Sequence, residues 1–236
     1  MKILAIETST NTGSLALYCE QAGLLASRVS HESRSHSEKF NIFVDEVLTE
    51  THLKLSDIDA FAVGQGPGSF TGIRVGANIG KTFAFAFKRP LVAIDSLLNM
   101  ASQFQETDLP VLSMINAHKN MVYLASYEKI NGVWENKLAP AAYFVRELSQ
   151  VIQAPHLVVG DGWQSYESYL PHNLKALLVR PEGEFFDYPT ASALARLASL
   201  KLKSNETNDW KLFTPLYIRA SEAEESKKGI KIQPLT

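Results

Sequence analysis

The sequence predicts an α/β protein made of two related halves, each with a mixed, hairpin-based sheet flanked by helices. Three strand-like apolar runs, separated by polar turns, begin the chain, and the same pattern starts again near Val111. Longer segments with helical apolar spacing lie between these runs. A chain of 236 residues can form one large domain or two small ones, each with its own core. The repeated pattern favours two.

The first half begins with a predicted hairpin. Residues 3–6 and 14–18 have the apolar content of strands, and the polar residues 8–13 form the turn between them. We expect residues 24–29 to add a third strand. The turn contains Glu7 and several hydroxyl groups, a composition that can hold a phosphate.

A helix is predicted next, starting near Ser35 or Ser37 and ending at about residue 51. Its apolar stripe contains Phe40, Val44 and Val47. The neighbouring Ile42 and Phe43 make this stripe wider than one buried face requires. Two explanations remain open: a surface for a partner, or a helix packed between two layers.

A glycine-rich turn, GPGSFTGIRVG, follows a strand-like run at residues 60–64 and precedes a helix-like run. Gly66 and Gly68 permit close backbone approach, and Ser69 or Thr71 can cap the helix. Free N–H groups at a helix start can bind an anion. The sequence allows an anion-binding turn, in which the hairpin residues Glu7, Thr8 and Ser9 would take part, or only a tight, capped turn.

The overlapping run GANIGKT (76–82) is not a P-loop. A P-loop needs four residues between its glycines, whereas three separate Gly76 from Gly80. Lys81 and Thr82 would also lie well inside a helix, where they could not surround a phosphate.

The helix after this turn carries small residues at every fourth position. Gly72, Gly76, Gly80 and Ala84 therefore share one face, which we call the glycine ridge. Each interior glycine costs roughly 1 kcal/mol relative to alanine, so close packing on this face is expected. The contact could be the sheet of the same domain or a helix of another subunit.

A strand at residues 91–94 and a helix that Ser96 can cap, ending at about residue 104, complete the first half. We place the boundary in the turn-rich residues 104–110. The predicted domains are residues 1–106 and 107–218, followed by a charged tail at 219–236.

The second half repeats the strand pattern. Residues 111–116 and 121–127 are predicted to pair, and a third run follows the turn at Asn131 and Gly132. A strand at 156–160, the turn Gly160-Asp161-Gly162, a strand at 176–179 and a helix over 190–204 complete this half.

Composition excludes several classes of function. A net charge of −2 argues against a large basic face for independent nucleic-acid binding. One cysteine, Cys19, permits no intrachain disulfide, which suits the cytoplasm. The run HESRSH (31–36) is one residue longer than H-E-x-x-H, so its histidines cannot share a metal on a helix. We expect no metal site, no membrane segment and no catalytic group.

Four motifs together resemble the TsaB (YeaZ) family: ILAIETST (3–10), GPGSFTGIRVG (66–76), VVGDGW (158–163) and PLYIR (215–219). The resemblance covers nearly the whole chain. It implies an actin-like ASKHA fold, related to ribonuclease H, with two lobes. This agrees with the duplicated strand pattern.

The resemblance also implies a function and partners. Family members act with a TsaD subunit and a TsaE ATPase to place a threonylcarbamoyl group on the adenosine beside the tRNA anticodon. The TsaB-like subunit is the non-catalytic scaffold or activator. It binds no cofactor itself, whereas ATP and a metal ion belong to its partners, and it meets tRNA only through the complex. We expect it to bind TsaD, or a second copy of itself, through Phe40, Val44, Val47 and the glycine ridge.

Two positions depart from related sequences. Asn116-Ala117-His118 stands where relatives have Asp-Ala-Arg, so any role of that turn is in doubt. Glu7 stands where actin-like ATPases carry an aspartate, which weakens the prediction of nucleotide binding. The alternatives to a scaffold are an ATP-dependent phosphotransferase or ATPase of the same fold and, third, a metalloprotease homologue.

Overall fold

The computed structural model describes residues 1–31, 36–182 and 185–220, except for the side chains of residues 36–38. The chain forms two compact units. The first contains Met1–Asn99 and Pro189–Leu216. The second contains Met100–Tyr188 and continues from Tyr217.

Ten strands and seven α-helices lie in the described residues. The strands are β1 (Lys2–Glu7), β2 (Gly13–Cys19), β3 (Gly23–Ser30), β4 (Ala60–Gly64), β5 (Leu91–Ile94), β6 (Val111–Asn116), β7 (Met121–Ile130), β8 (Val133–Phe144), β9 (His156–Val159) and β10 (Leu178–Val179). The helices are α1 (His36–Thr51), α2 (Phe70–Phe87), α3 (Ser96–Ala101), α4 (Leu148–Val151), α5 (Asp161–Tyr166), α6 (His172–Lys175) and α7 (Ala191–Lys203).

The two units contain sheets of the same topology. The first sheet has the strand order β3-β2-β1-β4-β5, and the second, read in the same direction, has the order β8-β7-β6-β9-β10. In each sheet the first three strands of the unit are antiparallel and the last two are parallel to the first. The predicted duplication and the α/β class are therefore confirmed.

The central strand of the first unit is buried on both faces. Four consecutive side chains of β1, from Ile3 to Ile6, have no exposed surface, although neighbouring side chains point to opposite faces. Leu4 and Ile6 share a core cluster with residues of α1 and α2. Helix α7 also packs on β1, β2, β4 and β5. Helices therefore cover both faces of this sheet.

Helix α7 explains why the units differ from the predicted division at residue 106. Residues 189–216 belong to the first unit because α7 lies on its sheet. Asn208 also donates its backbone N–H to the Leu91 carbonyl, and its side-chain oxygen accepts the Ala93 N–H. The prediction assigned these residues to the second domain because sequence periodicity does not identify the sheet on which a helix packs.

Most predicted elements match the observed ones within two residues, but a few differ. Helix α3 ends at Ala101 rather than near residue 104. The strand predicted at 176–179 is shorter than expected, since β10 contains only Leu178 and Val179. Strand β8 is longer than the predicted run and extends to Phe144. The short helices α4, α5 and α6 have too few residues for helical spacing to identify them.

Capping side chains were predicted correctly at one helix and wrongly at another. Ser69 caps α2, since its Oγ accepts the Gly72 N–H at 3.2 Å. At α3 the cap is Asp95, whose Oδ1 accepts the Leu97 N–H at 2.7 Å. Ser96 instead points its hydroxyl toward Glu7.

The glycine ridge of α2 lies against the sheet of its own unit. A Cβ atom at Gly72 would lie 2.0 Å from the Thr8 carbonyl oxygen, and one at Gly76 would lie 2.5 Å from the Thr8 Oγ1. A Cβ at Gly80 would lie 2.3 Å from the Val63 Cγ1. Any larger side chain would separate α2 from β1 and β4. The sequence allowed a contact with the sheet of the same domain or with a helix of another subunit, and the observed contact is with the sheet of the same unit.

No helix in the described parts of the chain has both the length and the hydropathy needed to cross a bilayer.

We predict that Gly72→Ala destabilises the protein because its Cβ meets backbone, which cannot move aside as a side chain can. The expected loss of unfolding free energy is about 1–3 kcal/mol or more, measured by urea denaturation. Thr82→Ala, on the exposed face of α2, is the matched control and should change stability by less than about 0.5 kcal/mol. Equal stability of both variants would contradict the close contact.

Candidate functional site

The carboxyl group of Glu7 lies at the end of β1 and is fully buried. Its Oε1 accepts the Ser9 N–H at 2.9 Å. Its Oε2 accepts the Asn99 side-chain amide at 2.9 Å and the Ser96 hydroxyl at 3.3 Å. The carboxyl group thus joins the hairpin turn to the first turn of α3. All four residues belong to the first unit.

Gly64, at the end of β4, makes room for this carboxyl group. A Cβ atom at Gly64 would lie 2.2 Å from the Glu7 Oε2. Only glycine fits here, because the displaced atom is buried and held by three donors.

Burial raises the pKa of Glu7 above its usual 4.5, and the hydrogen bonds from Ser9, Asn99 and Ser96 oppose this rise only in part. The carboxyl group therefore holds its proton to a higher pH than an exposed glutamate. Glu7 is enclosed by its own chain.

The glycine-rich turn packs directly on the hairpin turn. The Ser69 N–H donates to the Ser9 carbonyl at 2.7 Å, and the Thr8 Oγ1 donates to the Gly72 carbonyl at 2.8 Å. A Cβ at Gly68 would lie 1.9 Å from the Ser9 carbonyl oxygen. The space beside Gly68 is thus filled by the backbone of the hairpin turn.

These contacts occupy the groups that an anion would need. The Ser69 amide is bonded to Ser9, and the Gly72 amide is bonded to the Ser69 hydroxyl. Gly66, with φ +94°, places its N–H 3.3 Å from the Ser96 Oγ, while Thr71 is exposed on the far side. The geometry is that of a tight, capped turn, and a phosphate could reach these amides only by displacing Ser9. The residues do not fit a nucleotide phosphate in this conformation.

The residues predicted to contact a partner are all in the interior of the first unit. Phe40 and Val47 have no exposed surface, Val44 is nearly as buried, and the glycine ridge lies on β1 and β4. A partner cannot touch these residues while the unit is folded. Sequence periodicity marks the buried stripe of a helix, and it does not distinguish a core from an interface.

The other face of α1 is exposed and partly apolar. Ile42 is 56% exposed, and Phe43 is half-buried beside it. These two residues border a surface groove of about 440 Å³, together with Val29, His31 and Lys39 of the same unit. The extra apolar width of α1 noted in the sequence therefore faces solvent.

A second polar cluster lies in the second unit, where β6 ends and α5 begins. The Asp161 Oδ1 accepts the Asn116 N–H at 2.9 Å. Asn116 donates its side-chain amide to the Ser165 Oγ, and its Oδ1 accepts the Tyr166 hydroxyl at 3.2 Å. Sequence reasoning treated Gly160-Asp161-Gly162 only as a turn and missed the role of this carboxylate.

Asp161 has a perturbed carboxyl group. Burial raises its pKa from 3.8 to about 6, and the nearby Asp187 adds to this rise. The Asn116 N–H and the charge of His118 oppose it. Asp187 in turn accepts the Gly160 N–H at 2.7 Å and pairs with Arg180 at 2.5 Å. The two carboxylates thus anchor the turn between β9 and α5.

The turn that departs from related sequences has an unusual backbone. His118, Lys119 and Asn120 all have positive φ angles, between +53° and +58°. Arg219, in the PLYIR motif, donates its guanidinium to the Ala117 and His118 carbonyls. The interactions of this turn are those of a structural support, with a buried carboxylate on one side and an arginine on the other.

In the described parts of the chain, no three His, Cys, Asp or Glu residues are placed to hold a metal ion. The run HESRSH, whose histidines were predicted not to share a metal ion, falls largely on residues 32–35, which lie outside the described residues.

Comparison with known proteins gives the family. A family model described as TsaD, tRNA N6-adenosine threonylcarbamoyltransferase, matches residues 24–227. The chain is 30% identical over 235 residues to tRNA threonylcarbamoyladenosine biosynthesis protein TsaB of Escherichia coli K12, with 97% of this chain and 99% of that protein covered. The chain belongs to the TsaB (YeaZ) family.

Further matches agree with the TsaB assignment. The structure of YeaZ from Pseudomonas aeruginosa superposes with a TM-score of 0.79 at 27% identity and covers 92% of this chain and 99% of that one. The tRNA N6-adenosine threonylcarbamoyltransferase of Staphylococcus haemolyticus is 28% identical over 65% of this chain but only 51% of its own length. This chain is therefore similar to the transferase over about half of the transferase's length.

We predict that Glu7→Gln changes how stability depends on pH. Because the folded pKa is raised, Glu7 contributes most to stability below pH 4.5, where it is protonated in both states, and this contribution is lost as pH rises through the folded pKa. Glutamine does not ionise, so the stability of wild type relative to Glu7→Gln should fall with pH by up to about 1.4 kcal/mol per pH unit.

Urea denaturation from pH 4 to 8 measures this difference. Glu206→Gln removes an exposed carboxyl group of the same unit and should follow the wild-type profile. Parallel profiles for wild type and Glu7→Gln would mean that Glu7 has the same pKa in the folded and unfolded states, which would contradict a raised folded pKa.

Proposed function

We propose that the chain acts in the biosynthesis of threonylcarbamoyladenosine in tRNA, as a subunit that performs no chemistry itself. The observation that carries this proposal is its similarity, over nearly the whole chain, to proteins named for that pathway. The tRNAs concerned are those that read codons beginning with A.

The geometry of the glycine-rich turn supports a non-catalytic role. The Ser9 carbonyl and the Ser69 hydroxyl already occupy the amides of this turn, and Glu7 is enclosed. A phosphotransferase or ATPase would need these groups open to ATP. The carboxylates Asp161 and Asp187 are bonded to backbone amides, which is the arrangement of structural anchors.

We propose that the partners are a TsaD-like transferase and a TsaE-like ATPase, which supply the metal ion and the ATP. The complex would work in the cytoplasm, with tRNA as its substrate. A homodimer of the free chain would use the same surface as the transferase, because a self-complementary patch can also accept a related fold.

The solvent face of α1 is the surface that we assign to the transferase. It carries Ile42, which is 56% exposed, and the half-buried Phe43. Burial of such apolar side chains at an interface contributes roughly 25 cal/mol per Å². Helix α2 packs beside α1, so its half-buried Val75 and Ile79 extend the candidate surface.

We predict that a reaction reconstituted from the transferase, the ATPase, a threonylcarbamoyl donor and tRNA needs this chain. Omitting the chain should abolish or sharply reduce the modified nucleoside, measured by mass spectrometry of digested tRNA. The chain alone should make none.

Calorimetric titration of the isolated chain with Mg-ATP should give no heat of binding. Full product without the chain would contradict the scaffold proposal, and clear Mg-ATP binding would favour the phosphotransferase.

We predict that Ile42→Glu weakens binding of the transferase by about tenfold or more, because it places a charge in an apolar contact. Thr207→Glu, at an exposed position of the same unit outside α1 and α2, is the matched control and should bind as wild type. Size-exclusion chromatography and affinity measurement check both, and circular dichroism checks the fold. Normal binding by Ile42→Glu would place the interface elsewhere.

A further inference from the structure

An aromatic pair is exposed on the first unit, at the end of α2. The rings of Phe85 and Trp210 lie 5.0 Å apart, and Phe85 remains 64% exposed. Leu212, two residues after Trp210, is 79% exposed. Trp210 itself packs partly on the core of the unit, so the pair is held in place from below.

Basic side chains surround this pair. Lys81 lies one turn before Phe85 on the same face of α2. Lys88 ends the helix with φ +51°, and Arg89 follows directly, with its N–H donating to the Ala84 carbonyl. One cation therefore shares the helix face of Phe85, and two more follow the end of the helix.

The neighbouring turn adds a further cation. The Lys211 Nζ lies 5.5 Å from the centre of the Trp210 ring, and the Lys81 Nζ donates to the Phe213 carbonyl at 3.0 Å. This second contact ties the turn to α2. We call Lys81, Phe85, Lys88, Arg89, Trp210 and Lys211 the Phe85 surface.

The charges of this surface are not neutralised by ion pairs. In the described residues, no carboxylate lies within 4.0 Å of Lys81, Lys88, Arg89 or Lys211. Asp209 lies in the same turn, and its Oδ1 accepts the Lys211 N–H at 2.8 Å. The Phe85 surface thus has four cations, and the turn at residues 209–213 adds one carboxylate. The whole chain, by contrast, has a net charge of −2.

We infer that the Phe85 surface binds a single-stranded segment of RNA. Exposed aromatic rings stack on bases whatever the sequence, and cations beside them neutralise the phosphates of the same strand. A protein interface would also use Phe, Trp and Leu, but unpaired cations around the rings favour a polyanion. This inference deepens the proposed function, because it names a contact of this chain with the RNA substrate.

The Phe85 surface shares no residue with the surface assigned to the transferase. Ile42 and Phe43 lie on α1, and Val75 and Ile79 lie earlier on α2, whereas the Phe85 surface is formed by Lys81, the end of α2 and the turn at residues 209–213. Variants of one surface can therefore be compared with variants of the other. The sequence prediction that tRNA is met only through the complex would be corrected.

The test measures binding of a fluorescently labelled, unstructured oligoribonucleotide by the full chain, using fluorescence anisotropy at low salt. Phe85→Ala should weaken binding by about tenfold through lost stacking. Lys88→Glu/Arg89→Glu should weaken it further and reduce the slope of log K against log salt by about 1 to 2. A duplex of the same sequence should bind more weakly, because its bases are already stacked.

The matched control is Arg146→Glu/Lys175→Glu, which changes the net charge equally in the second unit and should bind as wild type. Photo-crosslinking of the bound RNA should modify the peptides that contain Phe85 or Trp210. Circular dichroism confirms that each variant is folded, and Phe85 is exposed enough for its removal to leave the core intact.

Three results would overturn the inference. The first is the absence of RNA binding by the wild-type chain, and the second is RNA binding as wild type by both variants of the Phe85 surface. The third is loss of transferase binding by these variants with RNA binding retained. The last result would make this a protein surface. None of these results depends on formation of the modified nucleoside, so failure here is distinguishable from failure of the proposed function.

Discussion

The close contact of α2 with β1 and β4 is the constraint on which the rest of the first unit depends. Gly72 and Gly76 bring the helix backbone against Thr8, and Gly80 brings it against Val63. This contact places the glycine-rich turn on the hairpin turn and encloses Glu7 behind them. It also determines which sides of α1 and α2 remain in solvent.

The same contact explains why a phosphate-binding motif and a packing motif look alike in sequence. Both need glycine, a capping hydroxyl and a helix start. They differ in what fills the space beside the glycines. Here the Ser9 carbonyl oxygen takes the place that an anion would need at Gly68, and Thr8 does the same at Gly72.

Much of the fold was predictable, because strand alternation, turn residues and a repeated pattern depend on local chemistry. The pairing of the first two strands in each half was predicted from this pattern, whereas the places of the parallel strands were not. The candidate site was less predictable. Asn99 and Asp161 act through partners far away in sequence, which spacing does not reveal. The buried stripe of α1 was identified, but its periodicity could not tell whether the neighbour of Phe40 was this chain or another.

The position of α7 has a consequence for how the protein forms on the ribosome. The sheet of the first unit is encoded by the first hundred residues, but α7, which covers it, is encoded after residue 190. The strands of the second unit are therefore synthesised before α7 can pack on its face of β1. Until then an apolar sheet face is exposed to chaperones and to other nascent chains.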